Sequence, residues 1–176
     1  MLFTKQFVGG LLVAATLTTG VMTADALSGI RQAATVSKRA TRVDPPHAGT
    51  NTGDVTTILG LINSQRAGAG LPPVSWHDQV TAAATAHSVD QAAMNRMTHT
   101  GSDGSDAGDR LTRAGFIWRA WGENVAAGYT SVQSVFDGWM ASAGHKAQIL
   151  GNFTYVGMAA VASSTGTVYW TLDFAR

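Results

Sequence analysis

The sequence contains no cysteine and a single glutamate, and charged residues occupy only 13% of its 176 positions. Without cysteine, neither a disulfide nor a thiolate zinc site can form, so the folded part must depend on its core. A formal net charge of +1 gives no basis for nucleic-acid binding. Apolar residues make up 45% of the chain, which is enough for one domain of ordinary size with additional segments.

Long apolar runs are lacking after the first 26 residues, and the early run has the features of an export signal. Lys5 precedes the uncharged stretch "FVGGLLVAATLTTGV", and Ala24 and Ala26 occupy the small-residue positions before a cleavage site. The run is short for a membrane-spanning helix, although an uncleaved anchor is an alternative. We predict a signal peptide at 1–26 and a secreted protein, extracellular or cell-wall associated, with no transmembrane segment after signal removal. A secreted chain without cysteine favours a bacterial origin.

Residues 27–53 differ in composition from the rest of the chain. They hold four basic residues and one acidic residue, a net +3, together with a Pro-Pro pair and few large apolar side chains. Such a segment cannot bury enough surface to offset the entropy of ordering. We therefore predict a flexible linker, which includes His47. Its charge would permit weak adhesion to an anionic cell wall, although a solvated linker is the simpler interpretation.

The remaining residues, 54–176, are predicted to form one α+β domain, because helical periodicity comes first and strand periodicity last. The long second helix is rich in alanine, which implies a close approach to neighbouring elements. The predicted elements are a helix from Asp54 to Gly68 or Gly70, a helix begun by a Ser75-x-x-Asp78 cap and ending near Met97, short helices at 110–116, 131–142 and 144–150, and two antiparallel strands at 155–163 and 167–175.

Two of the five histidines stand out as candidate site residues. His99 and His145 each lie beside a glycine-containing loop, and Glu123 lies between them in a Gly-flanked segment. Two imidazoles and a carboxylate could bind a divalent cation with an open position, or transfer protons. No HExxH signature places two ligands on one helix. His87, by contrast, is predicted to be a core residue bonded to a backbone carbonyl.

Other polar and aromatic residues have simpler interpretations. Ser142 precedes His145 by three positions, but no G-x-S-x-G elbow is present, so we favour a helix cap over a nucleophile. Asp103, Asp106 and Asp109 lack the alternate oxygens of a calcium loop and are predicted to form turns and a helix cap. The tryptophans of the domain are predicted to pack in the core or to line an apolar groove for a lipid-like ligand.

Four segments together resemble a known family. "MTHTGSDGSDAGDRLTRAGF", "WGENVAAGY", "GWMASAGHKAQIL" and "YWTLDFA" follow the order and spacing of the CAP superfamily, which comprises the cysteine-rich secretory, antigen 5 and pathogenesis-related proteins. The lack of cysteine is similar to its bacterial branch, the SCP-domain proteins. The resemblance covers 54–176 and implies a three-layer α-β-α sandwich with a central antiparallel sheet and a large surface cleft.

The resemblance also implies a set of cleft residues. In many members two His and two Glu line the cleft and can hold zinc or another divalent cation. By motif, three of these correspond to His99, Glu123 and His145, whereas the fourth position is Ser142, so the set is incomplete. Losing one carboxylate lowers the affinity for a hard cation. The resemblance further implies that Gly122 and Asn124 shape a turn that directs Glu123 into the cleft.

Three functions are consistent with these residues. A secreted binding module would recognise a lipid, a cell-wall component or a protein, and it needs no activated nucleophile. A hydrolase would use His99 and His145 to hold a cation or shuttle protons, with Glu123 as the base. A structural envelope or wall protein would use the same three residues as a rigid hydrogen-bonded core. We favour the binding module and assign no firm catalytic residue. No cofactor is required by any of the three functions, and a divalent cation such as zinc is the candidate.

Overall fold

The structure, a computed structural model, describes residues 52–176. The predicted signal peptide and most of the predicted linker lie outside these residues. Within them no helix combines the length and the apolar character needed to cross a membrane. The elements are α1 (Thr52–Gly68), β1 (Ser75–Trp76), α2 (Asp78–Met94), α3 (Ala107–Arg113), β2 (Trp121–Ala127), α4 (Val132–Ala141), α5 (Ala143–Ile149), β3 (Tyr155–Ala162) and β4 (Val168–Ala175).

The four strands form one sheet in the order β1-β3-β4-β2. The two predicted C-terminal strands are confirmed, and β3 pairs with β4 in antiparallel register from Tyr155 opposite Ala175 to Ala162 opposite Val168. The two residues of β1 add a short parallel edge to β3. β2 completes the opposite edge and pairs with β4 along all seven of its residues.

The turn implied for the Gly-Glu-Asn segment is wrong, because Gly122, Glu123 and Asn124 lie inside β2. Glycine and asparagine are poor strand formers in isolation. Here the neighbouring strand β4 supplies a continuous ladder of backbone partners, and this tertiary pairing overrides the local preference. Glu123 is therefore placed by strand register rather than by a turn.

Helices cover both faces of the sheet, which confirms the predicted α-β-α sandwich. Because strand side chains alternate between faces, Leu172 and Phe174 of β4 point to one side and Thr171 and Asp173 to the other. The first side packs with α1, α4 and α5 in the main core, whose buried members include Ile58, Ile62, Val135, Phe136, Trp139, Ile149, Val156, Met158, Leu172 and Phe174. The second side faces α2 and α3, with a smaller cluster formed by Val80, Ala83, Leu111, Phe116 and Ala175.

The alanine-rich helix α2 approaches the sheet closely, as its composition predicted. A Cβ atom added to Gly157 of β3 would lie only 2.3 Å from the backbone nitrogen of Thr81. The contact surface is also polar, since the Ser88 hydroxyl donates to the carbonyl of Ala159 and to the Thr171 hydroxyl. This close packing fixes the helix that precedes residues 95–106, the segment between α2 and α3 that is called the His99 loop below.

The boundaries of the first three helices differ from the predictions, and α3 spans Ala107–Arg113 where 110–116 was expected. α1 begins at Thr52, two residues before the expected start at Asp54. Ser75 lies in β1, and α2 is instead capped by His77, whose Nδ1 accepts from the backbone of Gln79 at 3.3 Å. α2 ends at Met94 because Asn95 adopts a left-handed conformation with φ 49°. The aspartate prediction is confirmed, since Asp106 and Asp109 form a capping box at the start of α3.

Candidate functional site

The His99 loop is held in place by side chains from α2 and α3. His87 Nε2 donates to the carbonyl of Thr98 at 2.7 Å, and the backbone nitrogen of Thr98 donates to Gln91 Oε1 at 3.1 Å. Arg110 Nη2 donates to the carbonyl of His99 itself at 3.2 Å. The loop backbone is therefore fixed on both sides of His99, while the imidazole is 60% exposed.

Glu123 is a buried carboxylate that contacts His99 directly. His99 Nδ1 donates to Glu123 Oε1 at 2.7 Å, because a carboxylate oxygen can only accept, and this leaves Nε2 available to a ligand. Arg110 Nη2 donates to Glu123 Oε2 at 2.6 Å. The Glu123 side chain is only 2% exposed, so its contact with solvent is made largely through His99.

These contacts set the protonation of the pair. Burial alone would raise the pKa of Glu123, but the hydrogen bond from His99 and the charges of Arg110 and His87 lower it below its ordinary value. The same hydrogen bond raises the pKa of His99. Near neutral pH the site therefore holds an ionised carboxylate that favours the imidazolium form of His99.

Asp173 belongs to the site, although it was not among the residues predicted from the sequence. It lies directly opposite Glu123 in the β2–β4 register, is fully buried, and neither of its carboxyl oxygens has a hydrogen-bond partner within residues 52–176. Burial and then the negative charge of Glu123 raise the pKa of Asp173 well above its ordinary value. A neutral Asp173 adds no second negative charge beside Glu123. The available signal was an aspartate between Leu172 and Phe174 in a strand that is otherwise apolar apart from Thr171.

Arg110 and His87 are two further members of the cluster. The core position and backbone-carbonyl bond predicted for His87 are confirmed, but its Nε2 also lies 3.9 Å from Glu123 Oε2. Burial lowers the pKa of His87. Arg110 has a side chain that is only 4% exposed, on a short helix whose sequence gave no indication that it points inward. Its position depends on the packing of α3 against β2.

His145 reaches the same sheet edge from the other helical layer. It lies on α5, and its carbonyl accepts from Asn124 Nδ2 at 3.1 Å. Burial, followed by the charge of His99, lowers the pKa of His145. Arg66 fixes the end of α5, because its buried guanidinium donates to the carbonyl of Ile149 at 2.9 Å.

A pocket of about 300 Å³ lies across the edge strand β2 at Gly122. Gly122 has no side chain to separate the two layers, and a Cβ atom there would lie 2.1 Å from Gln148 Oε1. Gln148 follows His145 by three residues and lines the pocket from α5. The lining combines polar side chains with apolar surface that includes one indole, and it consists of His99, Thr100, Asp106, Ala107, Trp121, Gly122, Glu123 and Gln148.

Ser142 stands at the junction of α4 and α5. It occupies the N-cap position of α5, as predicted, but its side chain makes no capping hydrogen bond. Within the described part of the chain its hydroxyl also makes no hydrogen bond with His145, so the structure gives no support to a nucleophile pair.

The side chains at this site do not fit a divalent cation in their present arrangement. Residues 52–176 contain no group of three His, Asp or Glu side chains placed to hold a metal ion. Both oxygens of Glu123 already accept from His99 and Arg110, and a bound cation would stand beside the guanidinium, whose positive charge would repel it. The metal set of His99, Glu123 and His145 thus stays a prediction.

The fold and the site define an α-β-α domain of the CAP type, with a His–Glu pair at the edge of the sheet. A sequence profile of the cysteine-rich secretory protein family, CAP, matches residues 59–174, and the chain belongs to this family. The chain is 30% identical over 118 residues to the uncharacterized protein YkwD of Bacillus subtilis, covering 66% of this chain and 45% of YkwD. It is 29% identical over 120 residues to the uncharacterized membrane protein YlbC of that organism, covering 68% of this chain and 33% of YlbC. The chain thus spans less than half the length of these curated relatives.

Solved structures support the same fold. An extracellular protein containing an SCP domain from Bacillus anthracis is 26% identical, with a TM-score of 0.63, and the match covers 90% of this chain and 45% of that one. An outer surface protein of Borrelia burgdorferi is 17% identical, with a TM-score of 0.67, and the match covers 74% of this chain and 97% of that one. At 17% identity the second likeness concerns the fold alone.

Proposed function

We propose that this protein is a secreted binding module whose pocket at the edge of β2 recognises a polar component of the bacterial cell wall. The predicted export signal supports secretion, and so does the likeness to the SCP-domain protein of Bacillus anthracis, which is an extracellular protein. The observation that carries the proposal is the difference in exposure between the two residues of the His–Glu pair. Glu123 is buried and bonded to two donors, whereas His99 is exposed and presents Nε2 to a ligand.

The chemistry of the lining favours a polar ligand over a lipid or an apolar protein segment. Trp121 offers an aromatic face for a sugar ring, and Gln148 and Thr100 offer hydrogen-bonding groups. An imidazolium at His99, stabilised by Glu123, adds a charged donor for a hydroxyl or carboxylate oxygen. A glycan strand or peptide stem of the wall presents these groups together.

Binding of the purified full chain to soluble cell-wall fragments, measured by calorimetry, tests this proposal. His99→Ala and Gln148→Ala should each weaken binding about tenfold, which corresponds to about 1.4 kcal/mol. The control is Gln133→Ala, an exposed position on α4 outside the pocket lining. Equal affinities for all four proteins, or no binding by the parent protein, would rule out this pocket as the wall-binding site. Binding of lipid vesicles instead would identify the lipid alternative.

A hydrolase is the second candidate, because the 2.7 Å contact between His99 Nδ1 and Glu123 Oε1 has the geometry of an oriented acid–base pair. A hydrolase would turn over a cell-wall or peptide substrate and would lose that turnover in Glu123→Gln. Absence of turnover in the parent protein would remove this candidate.

The buried Glu123–Arg110 contact favours a third, structural role, in which Glu123→Gln lowers the melting temperature without changing the binding of any ligand.

A further inference from the structure

Arg110 occupies a central position among the candidate site residues. Its Nη2 donates to Glu123 Oε2 at 2.6 Å and to the carbonyl of His99 at 3.2 Å, and its Nη1 donates to the carbonyl of Ser105 at 2.9 Å. One buried guanidinium therefore joins β2 to two points of the His99 loop, the carbonyls of His99 and Ser105. A metal ion bound by Glu123 and His99 would hold the same two segments together.

The positive charge of Arg110 is a second reason to assign it a role at the site. Within hydrogen-bonding distance of Glu123 there are two cationic or potentially cationic donors, Arg110 and His99. The arginine alone neutralises the carboxylate, and both side chains are nearly inaccessible, at 4% and 2% exposure. A divalent ion would bring two further positive charges into this environment without displacing the fixed one, which is unfavourable where the dielectric is low.

We infer that Arg110 is an internal cation that takes the place of a divalent metal ion beside Glu123, so that the His99–Glu123 pair is assembled without metal. Arg110 acts as a positioning residue, since it fixes the carboxylate and the loop carbonyl and does not line the pocket at β2. This inference goes beyond the proposed function and does not depend on which ligand the pocket binds.

Calorimetric titration of the purified full chain with zinc chloride alone tests the inference. The parent protein should show no saturable one-to-one binding in the micromolar range, and chelator should leave its melting temperature unchanged. Arg110→Met removes the charge and keeps much of the side-chain volume, so it should bind zinc at least tenfold more tightly than the parent. Adding His99→Ala to that variant should abolish the gain.

Two matched controls separate the guanidinium from general effects of charge. Arg113→Met removes an exposed arginine of the same helix, which pairs with Asp103 at 2.6 Å, and should leave the weak zinc response unchanged. Arg110→Lys keeps a positive charge and should not gain zinc affinity. In NMR spectra, the His99 ring signals should broaden or shift with zinc in Arg110→Met and stay in place in the parent protein.

The outcomes decide in either direction. Tight one-to-one zinc binding by the parent protein that His99→Ala weakens would overturn the inference, and so would a folded Arg110→Met with no gain in affinity. If Arg110→Met does not fold, zinc titrations of the parent protein and of Arg110→Lys test the inference instead. Zinc binding by either protein would contradict the inference that Arg110 takes the place of a metal ion. Loss of cell-wall binding in the separate fragment assay would affect the proposed function and not this conclusion.

Discussion

At the residue scale, Glu123 and Asp173 lie opposite each other on neighbouring strands but have different surroundings. Glu123 accepts from His99 and Arg110, and these donors stabilise its ionised form. Within residues 52–176 Asp173 has no such donor, and because it is also fully buried, its neutral form is stabilised instead. The pair therefore carries one negative charge, which lies on Glu123 and is balanced by Arg110, while Asp173 stays neutral.

The raised pKa of Asp173 predicts a specific pH dependence of stability. Its stabilising contribution is fully present below the ordinary pKa of 3.8 and is lost as the pH rises towards the higher pKa of the folded state. Asp173→Asn cannot ionise and avoids this loss. The free energy of unfolding of the variant, relative to the parent, should therefore rise by about 1.4 kcal/mol per pH unit above about pH 4, until the folded-state pKa is reached.

Urea denaturation of both proteins between pH 4 and about pH 8 measures this difference. Thr171→Val is the matched control, because it removes the neighbouring buried hydroxyl that accepts from Ser88 and Gln91 but contributes no titrating group. That variant should be less stable by a constant amount across the pH range. If the Asp173→Asn difference is equally flat, the carboxyl ionises in the folded protein.

At the element scale, the position of the His99 loop depends on how closely α2 packs on the sheet. Gly157 of β3 lies beneath Thr81 and Val80 with no room for a side chain. The small residues of α2, including Ala83 and Ala84, are buried at the same interface. From this helix His87 and Gln91 then reach Thr98 and fix the loop. The distance between α2 and the sheet therefore determines the position of His99.

Gly157→Ala should destabilise the domain, because the added Cβ would lie 2.3 Å from the Thr81 nitrogen and 2.5 Å from the Val80 carbonyl carbon, both backbone atoms. The expected loss in the free energy of unfolding is about 3 kcal/mol, and the shift of α2 should also weaken ligand binding at His99. Thermal unfolding followed by circular dichroism measures the first effect.

Gly60→Ala is the control for that experiment. Gly60 lies within α1, and among the residues that the structure describes none has an atom within 4 Å of the added Cβ. Alanine has the higher helix propensity, so this variant should be more stable by about 0.5–1 kcal/mol. Similar effects of the two substitutions would show that the space at Gly157 does not limit the approach of α2.

At the scale of the whole molecule, the buried core lies between Ile58 and Ala175. The family match, 59–174, covers nearly the same residues. Because the composition of 27–53 predicts a linker that contributes no core, a chain consisting of 52–176 should fold without the first 51 residues. Its melting temperature should stay within about 3 °C of the full chain, which corresponds to less than about 1 kcal/mol.

Differential scanning calorimetry of the two chains measures that comparison. A shorter chain that begins at Ser75 is the control, because it lacks α1 and with it the fully buried Ile58 and Ile62. It should lose cooperative unfolding, since the main core loses two large side chains and the Arg66 clamp on α5. Cooperative unfolding of this control, or its absence in 52–176, would contradict the predicted boundary.

The sequence by itself determined the elements whose patterning is local. Helical periodicity predicted α4, where the four residues expected on one side, Val132, Val135, Phe136 and Trp139, are all buried. Strand periodicity predicted β3 and β4, and the motif resemblance predicted the family, the sandwich and the candidate positions His99, Glu123 and His145. Such features depend on neighbours a few residues apart, which a sequence displays directly.

Only the tertiary structure decided β2, the depth of Glu123 and its companions Arg110 and Asp173. The Gly-Glu-Asn segment has no strand signal, and it is extended because β4 lies beside it. Arg110 and Asp173 come from a helix and a strand distant in sequence, and their contact with Glu123 arises from strand register and helix packing. A sequence shows which side chains can carry a charge. Their burial and their partners, which determine the protonation state, arise only when the layers of the fold pack together.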